Sequence, residues 1–334
     1  MKHFSLVVIF FLFFVSSCNK EKENDLVLAS NEIATFMASI DRDFEELEKE
    51  LLKIEEFVIE LYENKEEILS NGDRNKYKIE GSFANSGPNQ DPDLSTLYLT
   101  TKGKDRKAME EMIVLTNPLD EIFKNVIEKN DVITQVYFNS AIQLNRLYPP
   151  YDARTMLDPD LDVTAFNFYY EADEKHNPTK DLVWVEEIYV DPVGKGWVLS
   201  LLNPIYFRDE LKMVLAFDIS INSILENYLN KTKRQLVIID QTGTVVAGKP
   251  KAIEALSLPP LKNHTYLQTI TSDSFRPEEY NLFKSKSREV RKMISNFILS
   301  GGDTFVLNEG GDNLMINAFT MEKLDWLILD VEIQ

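Results

Sequence analysis

Ile33, Met37, Ile40, Phe44, Leu47, Leu51, Ile54, Val58 and Leu61 recur at alternating steps of four and three. That spacing puts an apolar stripe on one face of a long helix, and a chain carrying it must cover the stripe with something. The pattern continues weakly through Ile68 and Leu69, and Asn71-Gly72 supplies a left-handed stop signal. A helix over about 31–70 is roughly 60 Å long at 1.5 Å per residue. Its other faces carry Glu45, Glu46, Glu48, Glu55, Glu56 and Glu63 and are expected to face solvent. Two covers suit the stripe: a second copy in a coiled-coil homodimer, or the rest of this chain, with the helix as its spine. The spine is the favoured reading, because the segments that follow need a long element against their sheets.

Ahead of the stripe, Phe4 to Val15 is almost wholly apolar and is preceded by Lys2 and His3. The run falls well short of the ~20 residues that cross a bilayer. A positive start, a short apolar core and small residues before a cut describe a secretory signal. Val15-Ser16-Ser17-Cys18 resembles a bacterial lipoprotein lipobox. The resemblance implies cleavage after residue 17 and acylation, palmitate-type, at Cys18. It places the protein in a bacterial cell envelope, lipid-anchored and extracytoplasmic. Asn19 after the cysteine favours the outer membrane by resemblance to enterobacterial sorting. Cys18 is the one cysteine, so no disulfide framework is expected. Residues 18–30 read as a charged lipidated tether. No further spanning run follows, so output across a membrane is expected to pass through a partner.

Cleavage removes Lys2 and no acid, taking the net charge from -19 to -20. Such a body repels nucleic acid, which is held chiefly by neutralising its phosphates. With 44% hydrophobic and 11% aromatic residues the chain can bury a core.

Residues 73–104 are loop-rich, with a short strand near Leu97–Thr100. Asn117-Pro118 followed by Asp120 and Glu121 is a helix start, with the proline at the first position. Strands are expected at Val132–Phe138 and Gln143–Tyr148. Leu182–Tyr189, the turn Asp191-Pro192-Val193-Gly194-Lys195-Gly196, Trp197–Tyr206 and Leu211–Ile219 form an antiparallel meander, closed by a helix near Asn222–Tyr228. A smaller unit repeats the scheme: a hairpin Leu236–Asp240 with Thr244–Ala247, a helix near Glu278–Leu299, and strands near Thr304–Leu307, Asn313–Phe319 and Trp326–Val331. The expected class is α+β: a long N-terminal helix spanning two PAS-like antiparallel α/β modules.

Ile188-Tyr189-Val190-Asp191-Pro192, Gly196-Trp197-Val198-Leu199-Ser200 and Val214 through Ser220 resemble the double Cache sensor domains of bacterial chemoreceptors and sensor kinases. With the signal peptide over 1–17 and the tether over 18–30, the resemblance implies a spine helix over 31–72, a membrane-distal ligand-binding module over 73–230 and a membrane-proximal one over 231–334. Amino-acid-binding members grip the ligand amine with a Tyr-x-Asp and a later Asp, which Tyr189, Asp191 and Asp218 match. On the carboxylate side Tyr169 fits the motif tyrosine. The tryptophan position holds Phe168, however, and the arginine position Phe166. The resemblance therefore implies an amine grip without a guanidinium, similar to an amine-sensing branch of the family. The implied ligand-binding set is Phe168, Tyr169, Tyr189, Asp191 and Asp218.

Carboxylates beside ring faces suit a cation on physical grounds too, and Tyr170 and Trp184 could add further rings. An amino acid held by Arg146 or Arg154 is the alternative ligand. Asp191 also suits simple turn initiation and Asp218 a helix cap, while Trp184 and Trp197 suit the core. His176 and His264 stand in polar loops without metal-type spacing, so no metal, cofactor or catalytic centre is expected. The reading is a ligand-binding sensor for a small amine or amino-acid-like metabolite, coupled to a receptor or transporter partner. A lipoprotein scaffold that binds no small molecule is the alternative.

Overall fold

The computed structural model describes residues 4–258, 277–309 and 312–333, and the chain divides into two compact units, 1–46 and 47–334. The first unit is helical from Phe4, because helix α1 runs Phe4–Glu63. It takes in residues expected to be an aperiodic tether, where Lys, Glu, Leu and Ala are good helix formers. Ile33, Ile40 and Phe44 are buried along its stripe. Among the described residues no helix is long and apolar enough to cross a membrane. The side chain of Cys18 and the segment holding His264 lie outside the described residues.

In the second unit the last turns of α1 behave as a spine. Leu47, Leu51, Ile54, Val58 and Leu61 are at most 5% exposed within a single chain, so this stretch is not free to form a dimer seam. Two acids expected in solvent are used instead. Glu48 accepts from Trp184 Nε1 at 2.9 Å and from Lys323 Nζ at 2.8 Å, and Glu55 accepts from Asn203 Nδ2 at 2.8 Å. One helix face thus fastens elements far apart in sequence.

A break at Asn64, whose Nδ2 donates to the Glu60 carbonyl, separates α1 from α2 (Lys65–Asn71). The helix stops where expected, for a different reason. Gly72 is extended (φ -69°), not left-handed. A Cβ there would lie 2.6 Å from Val114 Cγ1 and from the Ile68 carbonyl oxygen, so close approach demands the glycine.

Short strands β1 (Ile79–Glu80), β2 (Phe83–Ala84) and β3 (Thr96–Leu99) follow. A helix not anticipated from the sequence, α3 (Arg106–Leu115), starts at an Asp105 cap that accepts from Ala108 N. Helix α4 (Leu119–Lys129) has Pro118 at its cap position and no side-chain cap. Then come β4 (Ile133–Asn139), β5 (Leu144–Tyr148), the one-turn helices α5 (Ala153–Met156) and α6 (Asn167–Tyr170), and the meander β6 (Val183–Val190), β7 (Trp197–Phe207) and β8 (Glu210–Ser220). All eight strands join one antiparallel sheet in the order β1-β2-β3-β5-β4-β8-β7-β6. Because side chains alternate along a strand, the pairing registers sort the sheet into two faces.

One face carries Trp184, Leu201, Asn203, Leu215, Phe138 and Arg146, linked strand to strand by register. This back face meets α1 through Trp184 and Asn203, and α4 through Arg146. The front face is covered by the segment between β5 and β6, with the β6–β7 turn at one end of it. Thr96 and Tyr98 of β3 pin that cover. Thr96 Oγ1 donates to the Tyr151 carbonyl and accepts from Tyr151 N, and Tyr98 OH donates to the Asp158 carbonyl at 2.6 Å.

Helix α7 (Ile221–Asn227) leads to the second module: β9 (Leu236–Ile239), β10 (Val245–Gly248), α8 (Pro250–Ala255), α9 (Arg288–Ser300), β11 (Thr304–Glu309), β12 (Asp312–Thr320) and β13 (Leu327–Glu332). Its sheet order is β10-β9-β13-β12-β11. Helix α9 begins ten residues later than expected, because Ser287 caps it and 277–284 is mostly 3-10 turns. Strands β9, β10 and β13 are almost continuously apolar and buried.

Candidate ligand-binding site

The front face of the first sheet is built in rows. Register aligns Ser200, Asp218 and Gln135 across β7, β8 and β4. The next row is Leu202, Ala216, Tyr137 and Leu147, and the one after is Pro204, Val214, Asn139, Asn145 and Tyr98. A bulge between Ile133 and Gln135 brings Gln135 opposite Asp218, and a larger irregularity between Val185 and Tyr189 re-aims the end of β6. Re-aiming a side chain is a recurrent use of bulges.

Between these rows and the cover lies a narrow cavity of about 40 Å³, with room for a few water molecules. Its wall includes Tyr98, Tyr137, Asn139, Asn145, Tyr151, Phe166, Phe168, Tyr189, Asp191 and Asp218 and, among the described residues, no Arg or Lys side chain. The two acids converge. Gln135 Nε2 donates to Asp191 Oδ2 at 2.8 Å and to Asp218 Oδ2 at 3.1 Å. Asp218 Oδ1 accepts from Tyr137 OH at 3.0 Å and from Ser200 Oγ at 2.5 Å, and Tyr189 OH meets Ser200 Oγ at 2.6 Å. Asp191 and Asp218 are 6% and 2% exposed.

Burial, and then the charge of Asp191, push the Asp218 carboxyl up to about 8. Burial likewise raises Asp191, opposed by the Val193 and Lys195 N–H groups, by Gln135 and by the charge of Lys195 outside the wall. Burial also holds the Tyr137 and Tyr189 hydroxyls well above the usual phenol range, so both remain donors. The wall therefore favours a positive charge that it does not itself supply.

Phe168 is the centre of the aromatic rim. It stacks on Phe166 (4.9 Å, 6°), meets Tyr137 edge-on (5.9 Å, 88°) and tilts against Tyr189 (5.8 Å). Phenyl rings thus fill the positions where the resemblance places tryptophan and arginine.

Asp191 holds its turn as well as the cavity. Its carboxylate accepts from Val193 N at 3.1 Å and Lys195 N at 3.0 Å, and its N–H donates to the Gly196 carbonyl. Gly194 (φ 87°) and Gly196 (φ 84°) supply the backbone that this turn requires. Asp218 caps nothing: Ser220 does, accepting from Ser223 N.

Other expected residues stand elsewhere. Tyr169 is buried in the core and borders an open cleft with Asp173 and Glu174 rather than this cavity. It neighbours Phe168 on α6, and successive helical residues point about 100° apart. Arg146 is on the back face at 0% exposure, bound to Asp120 at 2.5 Å. Arg154 pairs with Glu80 at the surface. Neither arginine reaches the cavity. Tyr170 is exposed beside His176, and Trp184 faces Glu48. Trp184 and Trp197 are half-buried rather than core. Gln135, Tyr137, Asn139, Asn145 and Ser200 were not anticipated. Their signal was a polar side chain at alternate positions of otherwise apolar strands.

Among the described residues no group of three or more His, Cys, Asp or Glu side chains is placed to hold a metal. No protein-family model matches the sequence, and neither does any curated protein. Among solved structures the chain is similar to the sensory domain of the Campylobacter jejuni chemoreceptor Tlp3 with isoleucine bound, at 16% identity over 89% of this chain and 95% of that one, TM-score 0.44. It is also similar to the ligand-binding domain of the Pseudomonas fluorescens chemoreceptor CtaA with L-isoleucine (13% identity, 64% and 75% covered, TM-score 0.43). A third is the ligand-binding domain of the Pseudomonas aeruginosa chemoreceptor PctC with GABA (14%, 65% and 80% covered, TM-score 0.43). All three are sensory or ligand-binding domains of bacterial chemoreceptors.

Proposed function

We propose that this protein is a non-catalytic sensor domain that binds a small primary amine or amino-acid-like cation at Asp191 and Asp218. The observation that carries the reading is the pair of buried carboxylates bridged by one amide nitrogen, in an aromatic wall without a basic side chain. An ammonium entering there gains charge-assisted hydrogen bonds and the faces of Phe168 and Tyr189. The resemblance to amine-gripping Cache domains at Tyr189, Asp191 and Asp218 supports the same reading. A free carboxylate on the ligand would find no guanidinium, so amines are favoured over amino acids. Signal-peptide cleavage after residue 17, acylation of Cys18, display on the outer membrane and output through a receptor or transporter partner complete the proposal.

A scaffold without a small-molecule ligand is the second reading. Gln135 favours it, since its amide already hydrogen-bonds both acids. Thermal melting against a panel of amines and amino acids separates the two. A ligand at a hundred times its Kd adds about 2.7 kcal/mol of stability. Asp218→Asn should then weaken the active compound at least ~30-fold, the scale of losing one partner of a buried charge pair. A panel in which nothing shifts the melt removes the sensor reading. A shift that survives Asp218→Asn moves the site elsewhere.

A further inference from the structure

The far end of the same cavity holds a second set of buried polar groups. Asn139 ends β4, and Asn145 stands directly opposite it on β5, two rows from the carboxylates. At about 3.3 Å per residue, two rows put some 13 Å of strand between Gln135 and Asn139. The row between them carries Tyr137, Leu147 and the small Ala216. Asn139 and Asn145 are 1% and 7% exposed, and both line the cavity.

Asn145 Nδ2 donates to Asn139 Oδ1 at 2.9 Å and to the Phe138 carbonyl at 3.3 Å. The Phe138 carbonyl fixes which atom of Asn145 is nitrogen, and that in turn orients Asn139. Asn139 Nδ2 and Asn145 Oδ1 then have no hydrogen-bond partner among the described residues. A buried amide left this way is rare in folded proteins. An uncharged donor and an uncharged acceptor, both shut off from solvent, thus belong to two paired residues at the cavity's far end.

We propose that this asparagine pair reads the second functional group of the ligand, and that this group is a carboxamide. The inference rests on the ammonium reading of the Asp191/Asp218 end and specifies what lies opposite it. A carboxamide oxygen accepts from Asn139 Nδ2 while its N–H donates to Asn145 Oδ1, so both orphaned atoms are satisfied at once. A carboxylate would satisfy Asn139 but set a negative oxygen against Asn145 Oδ1. An alkyl tail would leave both unmet. The ligand class is thus a short chain with a primary ammonium at one end and an amide at the other.

Calorimetry on the full chain tests this with three matched series of three to five carbons: ω-amino amides, alkylamines and ω-amino carboxylates. The amides should bind about tenfold tighter than the alkylamines, the scale of two neutral hydrogen bonds, and tighter than the carboxylates. Asn139→Asp, which replaces the donor nitrogen by an acidic oxygen, and Asn145→Leu should each erase the preference of amides over alkylamines, whatever either does to the affinity for alkylamines themselves. Amides and alkylamines binding alike would overturn the inference and assign the pair to an ordered water, with the ammonium site intact. Preference retained in both variants would overturn it too. If no ammonium compound binds at all, the ammonium reading fails and this inference falls with it.

Discussion

The two faces of the first sheet bury the same chemistry to opposite ends. On the back, Asp120 accepts from Tyr77 OH, Ser95 Oγ and Arg146 Nη1, and Lys76 Nζ lies 2.8 Å from its second oxygen. Burial alone would raise this carboxyl, but the Arg146 charge and these partners outweigh it and hold it near 2. On the front, Asp218 is as deeply buried and is surrounded by hydroxyls and an amide, with no cation, and stands near 8. The first cluster balances its own charge, with Arg146 Nε the atom left without a hydrogen-bond partner among the described residues. The second is complete only with a proton or with a visitor carrying positive charge. A buried acid therefore marks a site by what its neighbours fail to neutralise, more than by being buried.

Asp120→Ala leaves Arg146 buried without its counter-charge, and chemical denaturation should show a loss of about 3–5 kcal/mol. A loss below about 1 kcal/mol would mean that the back face is not the closed structural cluster described.

A second measurement uses pH. Asp218 holds a proton in the fold that it would release when unfolded, where its carboxyl titrates near ~3.9. Its contribution is present below that value and is lost as pH rises through about 8. Asp120 runs the other way: its contribution is present above about 4 and is lost as pH falls towards 2. Between about pH 4 and 8 the ligand-free protein should therefore lose up to ~1.4 kcal/mol per pH unit through Asp218. Asp218→Asn should flatten that slope, as read from melting curves across the range. Equal slopes in the two proteins would mean that Asp218 is already ionised without ligand.

Trp184→Phe removes the hydrogen bond to Glu48 on the spine helix and should cost about 1 kcal/mol. Amine affinity should not change, because Trp184 belongs to the back face. A change in affinity would show that the faces are coupled.

How much of this could be read in the sequence differs between fold and site. The strands were legible because Leu236–Ile239, Trp197–Phe207 and Glu210–Ser220 are apolar runs bounded by turn residues. Asp191 and Asp218 were legible through a motif. Their partners were not, because the bulge at Ile133/Gln135 is invisible in composition and decides which residue faces Asp218. Arg146 shows the converse error. It stands between Asn145 and Leu147, both lining the cavity, and a period of two sends it to the opposite face. Asp120 read as a helix-dipole acid, yet it is the anchor of a buried cluster, since nothing in a first-turn signature tells which residue lies behind it.

Gln135 carries two N–H bonds on one nitrogen and lends one to each acid. The wall thus has a built-in occupant, tethered and always present. An incoming molecule must offer the acids more hydrogens than that occupant does. A primary ammonium brings three, each methyl group on the nitrogen removes one, and a quaternary centre brings none. On the proposed amine reading, affinity should fall with each hydrogen lost from the visiting nitrogen, a sieve that charge alone could not provide.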